Sequence, residues 1–248
     1  MSDSIEFIHP DWPAPGNVQA AVTTRKGGFS KGGFTGLNLA THVGDVAEVV
    51  AQNRAELKAS LGLPTEPCWL SQVHSSVVVQ AADVVGDVQA DAAVADSPGM
   101  VCAALTADCL PVLLTDTNGQ LVAAVHAGWR GLCTGILENT VENFLAAGID
   151  AQNILAWFGP AIGPQAYEVD EPVRNVFIAR APDCSAAFSE SRSGHWFFDL
   201  YAAARISLAA KGVVQTFGGE FCTYNDERFY SYRRAASCGR QASLIWLK

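Results

Sequence analysis

Three side chains in this chain can hold a metal ion or attack an electrophile, and each sits where a scaffold presents reactive groups. His74 lies in Ser71-Gln-Val-His-Ser-Ser76, where one apolar run ends and the next begins. Cys109 lies in Thr106-Ala-Asp-Cys-Leu-Pro111, between two strand-like runs, and His126 lies in Val125-His-Ala-Gly-Trp-Arg-Gly131, at a step from strand to helix. Two imidazoles and one thiolate suit Zn²⁺ or another borderline-soft ion, and three protein ligands leave the open fourth position of a catalytic zinc site. The separations between the three carry no metal signature of the kind that paired C-x-x-C motifs carry. An inert core cysteine and two hydrogen-bonded histidines at strand ends therefore stand as the plainer alternative.

The elements that must position these residues are legible as patterns. Gln19–Arg25 alternates like a strand, and a glycine-rich segment, residues 26–39, follows it as a surface loop without the spacing of a phosphate-binding loop. Asp45–Leu61 is predicted as a helix capped by Asp45 and stopped by Gly62 and Pro64. Cys68–Val73, Val77–Ala81, Val101–Thr106, Pro111–Thr115 and Leu121–Val125 read as strands, with a hairpin across Thr115–Gln120. Gly131–Ala147 reads as one helix ended by Gly148, Ile154–Phe158 as a buried strand, and Asp170-Glu-Pro172 and Asp199–Lys211 as further helix signals. Val213–Phe217, Phe229–Tyr232 and Ala242–Leu247 close the chain as strands. The expected fold class is α+β: one domain over residues 1–248, with a mixed, largely antiparallel core flanked by helices.

Composition excludes several functions. The chain has 248 residues, 49% hydrophobic and 17% charged, as a packed enzyme does and a disordered chain does not. Its 16 basic residues are scattered and outnumbered by 25 acidic ones, for a net charge of -9, so neither a nucleic acid nor an anionic membrane is an expected partner. The start, Met1 to Asp11, lacks a basic and then apolar leader, and no run of roughly 18 apolar residues exists to span a bilayer. With seven cysteines, an odd number mostly inside apolar runs, the expectation is a reduced, cytoplasmic protein.

Other polar groups can complete a site for a small anionic substrate. Arg130 follows Gly128-Trp129 at a helix start and can take a phosphate bidentately. Gly159-Pro-Ala-Ile-Gly163 offers either a close backbone approach or a plain turn. Arg233, with Arg234, follows Phe229-Tyr-Ser-Tyr232; such arginines are ordinarily solvated. Asp108 either orients a ligand histidine or caps a turn.

Taken together, Ser71-Gln-Val-His74, Thr106-Ala-Asp-Cys-Leu-Pro-Val-Leu113, Val125-His-Ala-Gly-Trp-Arg-Gly131, Gly159-Pro-Ala-Ile-Gly163, Cys222-Thr-Tyr224 and Phe229-Tyr-Ser-Tyr-Arg-Arg234 resemble the laccase-domain, or polyphenol-oxidase-like, family. The resemblance runs from about Val22 to Leu247. It implies a β-sandwich-like core similar to the cysteine-hydrolase domain of a bacterial toxin, and it places the family's metal ligands on His74, Cys109 and His126, with zinc as the usual metal. It also places the family's Asn-Arg pair on Asn53-Arg54 and makes Arg54 a candidate phosphate contact. One departure is Cys238, just before Gly239-Arg240-Gln241, for which we have no role.

The resemblance implies purine nucleoside phosphorylase activity on adenosine, inosine, guanosine and methylthioadenosine, together with adenosine deaminase activity. Its bacterial branch, called peptidoglycan editing factor, implies the alternative of hydrolysing UDP-MurNAc-L-Ser. A metal-free cysteine hydrolase, with Cys109 as nucleophile and His126 or His74 as base, is a third reading. A multicopper oxidase requires a histidine-rich three-copper cluster that five histidines do not supply, so copper is expected only as a substitute at the zinc position, with weak polyphenol oxidase activity.

Overall fold

The structure is a computed structural model that describes residues 4–248. In chain order its elements are β1 (Phe7–Ile8), β2 (Val18–Thr23), α1 (Ala47–Leu61), β3 (Val78–Gln80), β4 (Ala92–Ala95), β5 (Val101–Thr106), β6 (Leu110–Asp116), β7 (Val122–Ala127), α2 (Trp129–Thr134) and α3 (Ile136–Ala146). There follow β8 (Ile154–Phe158), β9 (Glu168–Asp170), α4 (Glu171–Arg180), β10 (Phe188–Glu190), β11 (His195–Phe198), α5 (Leu200–Ala210), β12 (Gln215–Gly218) and β13 (Gln241–Leu247).

Two sheets carry the fold. One has the order β1-β2-β13-β5, the other β12-β8-β6-β7-β4-β3, and a small sheet β10-β11-β9 stands apart. Every pairing is antiparallel except β3 with β4 and β12 with β8, in line with the expected mixed, largely antiparallel α+β core.

Side-chain parity builds the layers. Along β6, Leu110, Val112 and Leu114 face the helices α2, α3 and α5, while Leu113 turns the other way and meets Cys102 and Ala104 of β5 and Ile245 and Leu247 of β13. The opposite face of the smaller main sheet, Val101, Ala103, Leu105, Leu244 and Trp246, packs on Leu57 of α1 and on Leu37 and Leu39 of the preceding loop. The result is helix, sheet, sheet, helix. Both faces of the strands are covered, which is why β6 and β7 read as unbroken apolar runs rather than alternating ones. Among the described residues, no helix is long and apolar enough to cross a membrane.

Several expectations need correction. Residues 68–73 form no strand, only single bridges from Cys68 to Cys102 and from Ser71 to Gln89. Residues 229–232 form no strand either, only irregular chain that runs into a turn at 232. The expected helix over residues 131–147 is two helices, broken where Gly135 takes φ 96. Asp45 does not cap α1: Val46 is the cap residue, and the Asp45 carboxylate instead accepts from Ser30 Oγ (2.6 Å) and Asn38 Nδ2 (2.9 Å). The glycine-rich segment is a clasped loop. Asn53 Oδ1 accepts from Phe29 N (2.8 Å), and the Tyr230 hydroxyl donates to Phe34 O (2.9 Å).

Candidate metal centre

The three sequence candidates meet at one end of the sandwich. β7 runs antiparallel to both β4 and β6, so the end of β7 lies beside the starts of its two neighbours. In this register Pro111 opposes His126, and Ala92 opposes Val125. That brings the segments before β4 and β6, with Asp91 and Cys109, alongside His126. One donor atom from each of His74, Cys109 and His126 lies within 4.8 Å of the others. Cys109 Sγ is 3.8 Å from His74 Nε2, and the two imidazole rings sit edge to face with centroids 4.8 Å apart.

Asp91, which sequence reasoning missed, organises this cluster. It is 1% exposed, and its Oδ1 lies 2.8 Å from His126 Nδ1. A carboxylate only accepts, so Nδ1 carries a proton, and Nε2 faces Cys109. The same carboxylate accepts from the backbone N–H of His74 (3.0 Å) and from Ser75 N (2.6 Å) and Ser75 Oγ (2.7 Å). His74 has φ 61, a left-handed conformation that costs a non-glycine residue about 1–2 kcal/mol. Asp108, at φ 92, is the other such residue. It makes no side-chain hydrogen bond to His74 or His126. Its carboxylate accepts from Thr223 Oγ1 (2.6 Å) and Arg233 N (2.6 Å), which ties the Cys109 turn to two later loops. Asp91 therefore does for His126 what the sequence suggested for Asp108.

Electrostatics follow from this packing. Burial pushes the Cys109 thiol up, but the His126 charge and hydrogen bonds from both histidines outweigh it and bring the thiol down to about 6. Burial pushes His126 down, and the Cys109 and Asp91 charges more than reverse that, to about 9. Burial also works against the Asp91 carboxylate, yet hydrogen bonds from His126 and Ser75 hold it at about 2. Cys109 is thus a ready thiolate, and His126 gives up its Nε2 proton when a borderline-soft divalent ion binds, so the residues present fit such an ion.

The cluster opens into a cleft of about 430 Å³. Arg130 and Arg233 stand exposed on its rim, Arg130 stacked on Trp129 at 4.4 Å and Arg233 on Tyr167 at 5.2 Å. Arg240, His42 and Tyr167 also line it, and no local pattern in the sequence singled them out. Partial burial holds His42 below its ordinary range, and Arg240, Arg54 and His126 lower it further, so this wall is positive although the chain is acidic overall. Arg54 is not in the cleft. It stacks on Trp69 at 4.3 Å, donates Nε to Leu39 O (2.9 Å), and lines a neighbouring cavity of about 840 Å³ that shares His42 and Leu105 with the cleft. The 159–163 loop packs Gly163 against Cys222, whose Sγ accepts from Gly163 N (3.2 Å).

Residues 19–248 match the family described as multi-copper polyphenol oxidoreductase laccase. The chain belongs to that family. It is 48% identical to a purine nucleoside phosphorylase of Pseudomonas aeruginosa, with 98% of each chain covered, and 48% identical to the purine nucleoside phosphorylase YfiH of Escherichia coli, covering 98% of this chain and 99% of that one. A crystal structure of the Neisseria meningitidis protein NMB0706 superposes with a TM-score of 0.93 at 46% identity, covering 98% of this chain and 99% of that one. YlmD from Geobacillus stearothermophilus gives 0.88 at 32% identity, over 94% and 93%. The fold is thus the family's. Among the described residues, His74, Cys109 and His126 are the one group of three such donors, so the site offers a single centre rather than the several that the family's name describes.

Proposed function

We propose that the chain is a zinc-dependent purine nucleoside phosphorylase acting on adenosine, inosine, guanosine and methylthioadenosine, with adenosine deaminase activity at the same centre. The observation that carries this reading is the convergence of His74, Cys109 and His126 on a cleft rimmed by Arg130 and Arg233, in a chain whose relatives are named purine nucleoside phosphorylases.

A cleft of about 430 Å³ falls within the range of small-molecule sites. Trp129, Tyr167, Leu105 and Ile162 offer it flat and apolar walls for a purine. Stacking on Trp129 covers one face of Arg130 and leaves its N–H edges to take phosphate oxygens, while Arg233, stacked on Tyr167, shares Nη1 and Nη2 with Glu168 O at 3.4 Å and keeps its remaining N–H groups for the same use. Arg54 can act similarly from the adjoining cavity. In phosphorolysis a phosphate oxygen bonds to ribose C1′ as the C1′–N9 bond breaks, and the base leaves with a proton as ribose 1-phosphate forms. A zinc ion held by the trio would supply Lewis acidity at its open side. Deamination exchanges the C6 amino group for oxygen, with water consumed and ammonia released. Nucleosides and phosphate are cytoplasmic, and this reading places the chain there.

The test is phosphate dependence. Adenosine should yield adenine and ribose 1-phosphate only when phosphate is present, and inosine with or without it. Adenine released in phosphate-free buffer refutes phosphorolysis. Arg130→Gln and Arg233→Gln should each raise the KM for phosphate.

One observation favours a second reading, amide hydrolysis of UDP-MurNAc-L-Ser. The larger cavity, with Arg54 on its wall, adjoins the cleft through His42 and gives room for a substrate longer than a nucleoside. Recovery of that compound intact after incubation with the purified protein rules it out.

A further inference from the structure

The geometry points to Asp91 as a positioning residue that sets both histidines of the donor trio, so that the site's shape is built before a metal arrives. This rests on the metal-site reading and is independent of which substrate the cleft takes.

Asp91 precedes β4, on the strand face that looks into the sandwich, and it is almost fully buried. All its side-chain hydrogen bonds go to the frame of the trio. Oδ1 accepts from His74 N and faces His126 Nδ1; Oδ2 accepts from Val73 N (3.3 Å), Ser75 N and Ser75 Oγ. Three consecutive backbone N–H groups and a hydroxyl converge on one carboxylate. Such concave runs of N–H groups bind anions, and here another strand of the same chain supplies the anion.

Two consequences follow. The grip on residues 73–75 holds His74 in its left-handed conformation, which presents Nε2 toward Cys109. The hydrogen bond to Nδ1 fixes the ring orientation of His126 and leaves Nε2 as the nitrogen turned to the metal position. Asp91 does not hold Cys109, whose turn is tied by Asp108 to Thr223 and Arg233. Two carboxylates thus divide the work: Asp91 couples the histidines, and Asp108 anchors the cysteine.

Asp91→Asn keeps the side chain's size and takes away the one oxygen that serves both histidines. The amide oxygen can serve Ser75, and the amide NH₂ then faces the His74 N–H, which loses its acceptor, and His126 Nδ1, which must accept. The imidazole proton moves to Nε2 and occupies the lone pair that would bind metal. Zinc affinity of the full-length variant, measured by chelator competition, should fall about 10- to 100-fold. Wild-type affinity in Asp91→Asn overturns the proposal. Should that variant not fold, the zinc-loaded unaltered protein decides by long-range ¹H–¹⁵N correlation of the His126 ring. A proton on Nδ1 with Nε2 toward the metal supports the proposal, and the reverse overturns it. A wild-type chain that binds no zinc overturns this proposal and the metal reading together. A chain that shows the affinity loss but releases no purine base sinks only the phosphorylase reading.

Discussion

Gly128 lies where the backbone passes beside two members of the donor trio, and Gly128→Ala asks how closely that packing sets the centre. Its φ of -68 and ψ of 164 are open to any residue, so the perturbation is steric. A Cβ built there would lie 2.9 Å from His74 Cδ2 and 3.0 Å from Cys109 Sγ, whereas ordinary contact begins at 3.4 Å. One or both side chains must retreat by about 0.5 Å, beyond the roughly 0.2 Å that donor distances at a metal tolerate. Overpacking of this kind costs about 1–3 kcal/mol. Expressed at the metal rather than in the fold, that is a loss of zinc affinity of roughly 5- to 150-fold. Competition against a chromophoric zinc chelator measures it, and thermal unfolding in excess EDTA shows whether the metal-free fold survives. A variant that binds zinc as tightly as the wild type would refute the reasoning.

Four further outcomes are expected. In metal-stripped protein the Cys109 thiolate should lose its 240 nm absorbance as pH falls through about 6, and a midpoint near the ordinary thiol value of 9.0 would contradict the ion pair. Because the thiol is lowered on folding, its stabilisation is lost as pH falls through about 6; because His126 is raised, its share is lost as pH rises through about 9. The stripped protein should accordingly melt highest between those values. Tyr167 lines the cleft, and its hydroxyl has no hydrogen-bond partner among the described residues, so Tyr167→Phe should leave stability within about 0.5 kcal/mol and raise the nucleoside KM about 2- to 12-fold; unchanged kinetics count against a substrate contact. Phe144→Ala, on the fully buried face of α3, should cost about 3–5 kcal/mol and lower the Tm by about 6–20 °C with zinc content retained, and a drop under about 2 °C would contradict this packing.

The family motifs and the long apolar strands were legible because both are local. β5, β6, β7, β8 and β13 announce themselves in runs of buried residues, and the Asp116 turn between β6 and β7 shows as Asp-Thr-Asn-Gly. β4 did not, because Ala92–Ala95 is mostly alanine with weak strand preference and is a strand only through its pairing with β7. The three-residue strands β9 and β10 lack enough length to show a period. The break at Gly135 was hidden because apolar spacing continues across it.

By itself the sequence determined the candidate donors His74, Cys109 and His126, the family, and the α+β class, since each depends on residue type, motif order and periodicity along the chain. Tertiary structure alone decided which groups face those donors. Asp91 stands 35 residues before His126 and inside no motif, yet antiparallel register sets it opposite that ring, and side-chain parity turns it inward. A shift of one residue in that pairing would send the carboxylate to the helix face and leave the imidazole without its acceptor, because strand side chains alternate with a period of two. Arg130 and Arg233 reach one rim, and Arg54 another cavity, for the same reason: contact across strands is fixed by register and packing, which no single segment of the chain contains.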